Sequence, residues 1–131
     1  MLRPRPFFIA AFVAGLTGTA EAETPQAAVL THGFEHPESV LIDPALRYVS
    51  NIGAELEPVK KDGDGFISIL DAQGGLVELR AFAGLDAPKG MALIADDLYV
   101  ADVDRIVGFD LRTHEQSFAV QVDCAQPCLL N

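Results

Sequence analysis

One stretch of this chain occurs twice, and that repeat limits the fold more than any single residue does. Pro37-Glu38-Ser39-Val40, Tyr48-Val49-Ser50-Asn51 and Phe66-Ile67-Ser68-Ile69-Leu70-Asp71 return as Pro88-Lys89-Gly90-Met91, Tyr99-Val100-Ala101-Asp102 and Ile106-Val107-Gly108-Phe109-Asp110. The first two landmarks hold register, with Pro37 to Pro88 and Tyr48 to Tyr99 both 51 positions apart. The first copy then carries about a dozen more residues before the third landmark. A repeat in the range of about 40–50 residues, built of short strands, is the sequence form of propeller blades. The spacing therefore predicts an all-β fold, a partial β-propeller of about two four-stranded antiparallel blades.

Strand-like pieces separated by Asp, Gly, Pro and Asn support that count. In the first copy they are Ser39–Ile42, Arg47–Asn51, Gly65–Leu70 and Leu76–Phe82. In the second they are Gly90–Ile94, Asp97–Ala101, Arg105–Asp110 and Ser117–Val122. Asp71 and Asp110 each close a strand before a turn, where a carboxylate caps backbone amides. The run Gly84-Leu85-Asp86-Ala87-Pro88 reads as the crossover between copies. Tyr48-Val49 and Tyr99-Val100 suit a pleated surface packed on a neighbour.

Residues 1–22 read as a signal peptide. Arg3 and Arg5 precede an apolar run from Phe7 to Leu16, and Ala20-Glu21-Ala22 offers a small-residue cleavage pattern. The apolar run is about half of what a bilayer span needs, so the alternative of an uncleaved anchor is the weaker reading. Export to the periplasm or outside the cell follows, and with it compatibility with a disulfide. Residues 23–32 form a polar lead-in. The partial propeller takes 33–131, divided into a first blade over 33–84, a second over 85–124 and the start of a third over 125–131.

The whole chain has a formal net charge of −10. Removing Arg3, Arg5 and Glu21 leaves 7 basic and 18 acidic residues, for a net charge near −11. Basic residues are single except Lys60-Lys61, so the clustered positive surface that nucleic acid needs is missing. An anionic bilayer would repel the cleaved chain as well.

Two open sheet faces create an energetic problem. Each fully buried Val, Leu or Phe contributes roughly 1.5–3 kcal/mol, against a net domain stability of about 5–15 kcal/mol. Two blades alone expose several such groups at either end. Self-association, or further blades in a longer polypeptide, would cover them.

Candidate sites are few. In Lys61-Asp62-Gly63-Asp64-Gly65-Phe66-Ile67-Ser68, Asp62 and Asp64 could form a weak surface cation loop. Aligned as a calcium hand, however, Lys60 takes the first ligand position and Asp71 the place of the bidentate Glu. A mobile hairpin loop between the second and third strands is the simpler reading. His36 and Glu38 precede the first strand, where a carboxylate at the mouth of a blade can hold a divalent ion or take a proton from water. Asn51 and Asp102 stand at equivalent strand ends, either lining a channel with His36 or capping turns. Cys124 and Cys128 could form a local disulfide or remain free thiols; their spacing is poor for zinc and is not that of a redox pair. No catalytic residue is assigned, since no nucleophile–base order, phosphate cradle or zinc motif is present.

Taken together, Pro37-Glu38, Tyr48-Val49-Ser50-Asn51, Lys61-Asp62-Gly63-Asp64-Gly65-Phe66-Ile67-Ser68, Pro88-Lys89-Gly90-Met91-Ala92 and Leu98-Tyr99-Val100-Ala101-Asp102 give the chain a likeness to a known group. It resembles exported members of the gluconolactonase and senescence-marker-protein family, six-bladed calcium-dependent propellers, over Gly33 to Asn131 and only in their N-terminal third. The resemblance implies a divalent ion, calcium or another, on the central axis. Glu38 matches the family's Glu, although Ser39-Val40 follows it in place of Gly-Pro. Leu130-Asn131 matches the opening of a Leu-Asn-Asp segment and makes Asn131 a second ligand, while Lys89 stands where some blades carry an Asn. The family's catalytic Asp has no counterpart here. The resemblance thus implies metal-dependent hydrolysis of a lactone or sugar-like small molecule, with this chain inactive alone as a truncated propeller. The alternative is a non-enzymatic exported binding or self-associating module.

Overall fold

Alternating apolar and polar residues, broken by turn formers, give eight short strands in the computed structural model, which describes residues 31–124 and 128–131. The expected signal peptide over 1–22, most of the expected lead-in and residues 125–127 lie outside the described residues. The strands are β1 (Pro37–Ile42), β2 (Leu46–Asn51), β3 (Gly65–Asp71), β4 (Leu76–Leu85), β5 (Pro88–Ile94), β6 (Asp97–Asp102), β7 (Arg105–Asp110) and β8 (Gln116–Gln121). They form two four-stranded antiparallel meanders, β1-β2-β3-β4 and β5-β6-β7-β8. The fold is thus all-β, and its two sheets do not close into a ring among the described residues. β4 runs on to Leu85 and β5 begins at Pro88, so the crossover shrinks from the five residues Gly84–Pro88 to Asp86-Ala87.

The turns follow the chemistry of their residues. Asp71 Oδ1 accepts the amides of Gln73 (2.9 Å) and Gly75 (2.8 Å). Asp110 Oδ1 accepts those of Arg112 (2.8 Å) and Thr113 (2.9 Å). Both aspartates cap their turns as the sequence suggests. Backbone-bonded Asp110 is held below the usual carboxylate range, chiefly by the Thr113 and Arg112 amides.

Which sheet face is buried follows from register. Leu41, Tyr48 and Ile69 are paired across β1, β2 and β3, and Ile67 is paired with Phe82. This face meets the one formed by Leu93, Leu98 and Phe109 with Met91, Val100 and Val107. Tyr48, Ile67, Ile69, Ala81, Phe82, Leu85, Leu98, Val100, Val107 and Phe109 make one buried cluster. Phe82 sits at its centre, its ring 5.1 Å from Phe109 and 4.7 Å from His114. β5 packs across β1, β2 and β3, so the first strand of the second sheet seats itself on the first sheet.

The contact is head-to-tail. Tyr48 and Tyr99 are repeat equivalents, yet Tyr48 is buried between the sheets, whereas Tyr99 faces away from the first sheet beside Phe118, 5.9 Å distant. The Tyr-bearing face of the first repeat packs on the opposite face of the second.

A core-centred aromatic and a rim aromatic should therefore differ in value. Phe82→Ala is expected to destabilise the fold by about 3–5 kcal/mol. Phe118→Ala, at a site 43% exposed, should cost about 1 kcal/mol or less. Urea unfolding at low protein concentration checks both.

Candidate functional site

The starts of β1 and β5 and the ends of β2 and β6 lie at one end of the sheets, and the charged side chains singled out from sequence gather there. Both first strands are irregular at this end. Pairing shifts between Pro37 and Ser39 in β1, and between Pro88 and Met91 in β5. Such bulges leave a residue out of the ladder and re-aim its side chain. In β1 that residue is Glu38, which is exposed; in β5 the equivalent is Lys89, which is buried.

Lys89 donates to the carbonyls of Pro58 (2.9 Å) and Ala87 (3.0 Å). Burial pulls its ammonium below the usual lysine range, while the carboxylates of Asp102 and Glu38 act the other way. Glu38, Lys89 and Asp102 thus share one electrostatic environment. Beneath it Ile52, Ala87 and Val103 form a small apolar cluster.

Asn51 and Asp102 occupy the same place in the two repeats and do the same structural task. Asn51 Oδ1 accepts the Glu35 amide at 3.0 Å. Asp102 accepts the Asp86 amide at 2.9 Å, again 51 positions on, and the Ala87 amide at 2.8 Å. Each side chain ties the segment entering its sheet to the end of the second strand. Both are fully buried.

Their remaining partners differ. Asn51 Nδ2 donates to Val49 O and Ser68 Oγ, both at 3.0 Å. Asp102 instead receives Arg105 Nε at 2.8 Å and forms an ion pair with that guanidinium. Arg105 also reaches Gly84 O at 3.1 Å and Asp86 at 3.4 Å. Burial, with Asp102 next in importance, raises the Asp86 carboxyl above its ordinary value.

The loop between β2 and β3 is anchored, where the sequence suggested a mobile hairpin. Lys61 pairs with Asp104 of the second sheet, the Gly63 amide donates to Asp86 Oδ1 at 3.1 Å, and Pro58 O takes Lys89. Loop residues therefore strap one sheet to the other. The Lys61 ammonium holds the Asp104 carboxyl below the usual range. Its second oxygen, Oδ1, is buried with no partner among the described residues.

Asp62 and Asp64 are engaged within the same loop. Asp62 pairs with Lys60 at 3.0 Å, which lowers its proton affinity. Asp64 Oδ2 accepts the Ala54 amide at 3.0 Å. Gly53, at φ 134°, leaves room for that carboxylate, since a Cβ there would lie 2.0 Å from Asp64 Oδ1. His36 adopts φ 47° and sets Nδ1 2.9 Å from Gly53 O, on the flank of the same loop.

Asn131 lies against Gly90, whose added Cβ would stand 2.9 Å from the Asn131 carbonyl carbon. It borders the face turned away from the first sheet. Cys124 and Cys128 are joined as a disulfide, resolving the open choice from sequence. Among the described residues no group of three or more His, Cys, Asp or Glu side chains stands ready to hold a metal ion. The contact not legible beforehand is the Lys61–Asp104 strap; Lys60-Lys61, the only adjacent basic pair in the sequence, was its signal.

Compared with protein-family models, with curated proteins and with solved structures, the chain matches none.

Two outcomes follow. Exchanging the equivalent residues should fail in both directions. Asp102→Asn strands Arg105, and Asn51→Asp turns a carboxylate toward Val49 O and Ser68 Oγ; each is expected to cost about 3 kcal/mol or more in denaturant unfolding. The acid limb tests Asp104 and Asp110. Their folded carboxyls are depressed, so their stabilisation is complete above the unfolded value of about 3.9 and is lost as pH falls through the lower folded values. The stability deficit of Asp104→Asn should therefore shrink steadily below about pH 4, as read from unfolding curves across pH.

Proposed function

We propose that the two sheets are successive blades of a β-propeller of the gluconolactonase-like kind, whose reaction is metal-dependent hydrolysis of a lactone or sugar-like ester. The supporting observation is Glu38. It is an exposed carboxylate set on a strand-start bulge, at the end of the sheets where the equivalent bulge carries Lys89. A divalent ion held there would polarise the lactone carbonyl and bring water to it. Glu38 and Asn131 are the residues of this chain suited to hold it. Asn51 and Asp102 keep the mouth in shape. His36 flanks the β2–β3 loop, and Asp62 and Asp64 are weaker cation candidates there. The remaining ligands and the catalytic carboxylate must come from further blades, so the two sheets alone are inactive. The leader and the Cys124–Cys128 disulfide suit an exported protein.

Lys89 favours a second reading. A buried ammonium at the place equivalent to Glu38 contributes fixed positive charge where a ligand oxygen would serve a metal site. A non-enzymatic propeller module that binds an anionic or polyhydroxylated ligand fits that charge.

The test is hydrolysis of a δ-lactone by an assembly in which further blades complete the ring, with and without EDTA, the two sheets alone serving as the inactive control. Under the first reading turnover is EDTA-sensitive and Glu38→Gln lowers it by at least about 10–100-fold. Turnover indifferent to both, or none in an assembly with a complete ring, rejects that reading in favour of the second.

A further inference from the structure

The β2–β3 loop is held differently at its neck and along its body. At the neck the Ile52 amide donates to His36 O at 3.1 Å and the Gly53 amide to Glu35 O at 3.3 Å. Arg80 of β4 reaches Asp64 O at 3.2 Å, and Asp64 Oδ2 closes the neck on the Ala54 amide at 3.0 Å. Ile52 and Gly53 on one side, and Gly65 and Phe66 on the other, are buried. Between them residues 54–63 are all exposed, Leu56 and Val59 included. The body adds no apolar side chain to either core and is tied within itself instead. Lys60 Nζ joins Glu55 at 2.8 Å and Asp62 at 3.0 Å, and the Lys60 amide donates to Glu57 O at 3.1 Å. A compact surface loop with adjoining ends and its own internal ties is an Ω-loop.

Three polar contacts hold the body to the second repeat: Lys61 to Asp104, the Gly63 amide to Asp86 Oδ1, and Lys89 Nζ to Pro58 O. Parting them exposes little apolar surface, and polar contacts of this kind are individually weak in net terms. The body therefore separates from the second sheet far more readily than the seam opens. Gly53 and Gly63, at φ 134° and 74°, stand at its two ends, where a few residues must absorb the backbone rotation. Beneath the body lies Lys89, only 6% exposed, with Pro58 O and Ala87 O as its acceptors. We propose that residues 54–63 form a hinged flap, pivoting on the first sheet and latched to the second by Lys61, whose opening uncovers the Lys89 ammonium. In the closed state Pro58 O takes one of the ammonium's hydrogen bonds; a lifted flap frees that bond for an oxygen of an incoming molecule. Hinge, latch and covered group all belong to this chain, so the proposal stands whether or not Glu38 holds a metal.

The test is amine acetylation of the intact protein, mapped by peptide mass, with amide hydrogen exchange followed in parallel. Lys60, Lys61 and Lys89 are the only lysines, so Lys89 is read without overlap. Lys89 is expected to acetylate more slowly in the folded protein than in the urea-unfolded chain. Lys61→Ala, at a half-exposed side chain, should speed Lys89 by about 3–10-fold through loss of the latch. The Gly63 amide should exchange faster with it, while β3 and β6 amides keep their protection. Lys61→Arg, which retains the ion pair, should restore the slow rate. Removing a positive charge cannot raise the free-amine fraction of Lys89, so faster labelling reports uncovering. Lys89 labelled as fast in the folded protein as in the unfolded chain overturns the proposal. So does a Lys61→Ala protein whose Lys89 keeps its rate, or gains only in step with the β3 and β6 amides.

Discussion

The apolar seam between the two sheets is the contact on which the rest depends. A four-stranded sheet has two faces and, in isolation, no interior. Packing the Tyr48–Ile67–Phe82 face against Leu98, Val100 and Phe109 gives each sheet one dry side, with each large residue contributing roughly 1.5–3 kcal/mol. Turn caps and ion pairs are smaller quantities that matter once this seam exists. Its position also decides where charge can go: the seam fills the middle of the sheets and leaves their strand-start end to polar groups.

At that end the two repeats solve one problem with different chemistry. The chain entering each sheet needs its amides satisfied, and a buried side chain at the end of the second strand does this in both. In the first repeat the surroundings are carbonyl and hydroxyl oxygens, so an amide that can also donate is required, and Asn51 fits. In the second the surroundings include Arg105, so a carboxylate fits. Val103, at φ 53°, is the strained point of this region. A β-branched residue seldom adopts that conformation, and its burial with Ile52 and Ala87 holds it there.

The repeat made strand number, order and approximate ends legible, because a period of two with Asp and Gly punctuation survives in a single sequence. The Asp71 and Asp110 caps were legible for the same reason. β4 was read three residues short because Gly84-Leu85-Asp86-Ala87-Pro88 reads as the crossover, yet pairing of Gly65 with Leu85 continues the ladder into it. The charges were harder. Lys61 and Asp104 lie 43 residues apart, and no local pattern says that a loop will bridge two sheets. Lys89 could be aligned with Glu38, but not its burial, which arises because Pro58 O and Ala87 O close over the ammonium. The disulfide was open on spacing alone; the approach of Val122 to Asp104 and of Leu130 to Val103 brings the two segments back along the same turn.

The contrast between Glu38 and Lys89 limits what the strand-start end can do. A cation held by Glu38 would feel the Lys89 ammonium as a like charge, and Lys89 cannot easily move away, being held by two carbonyls. Two properties ease that repulsion: burial already lowers the lysine's hold on its proton, and the buried Asp102 lies close enough to offset its charge. If the proposed reading holds, metal occupancy and Lys89 protonation would be coupled through the field. A cation at Glu38 lowers the lysine's proton affinity further, and loss of that proton strengthens cation binding by the same free energy. An anionic ligand would shift the same lysine the opposite way. The direction in which Lys89 responds thus distinguishes a metal-centred site from an anion-binding one, because both would draw on the same pair of bulged residues.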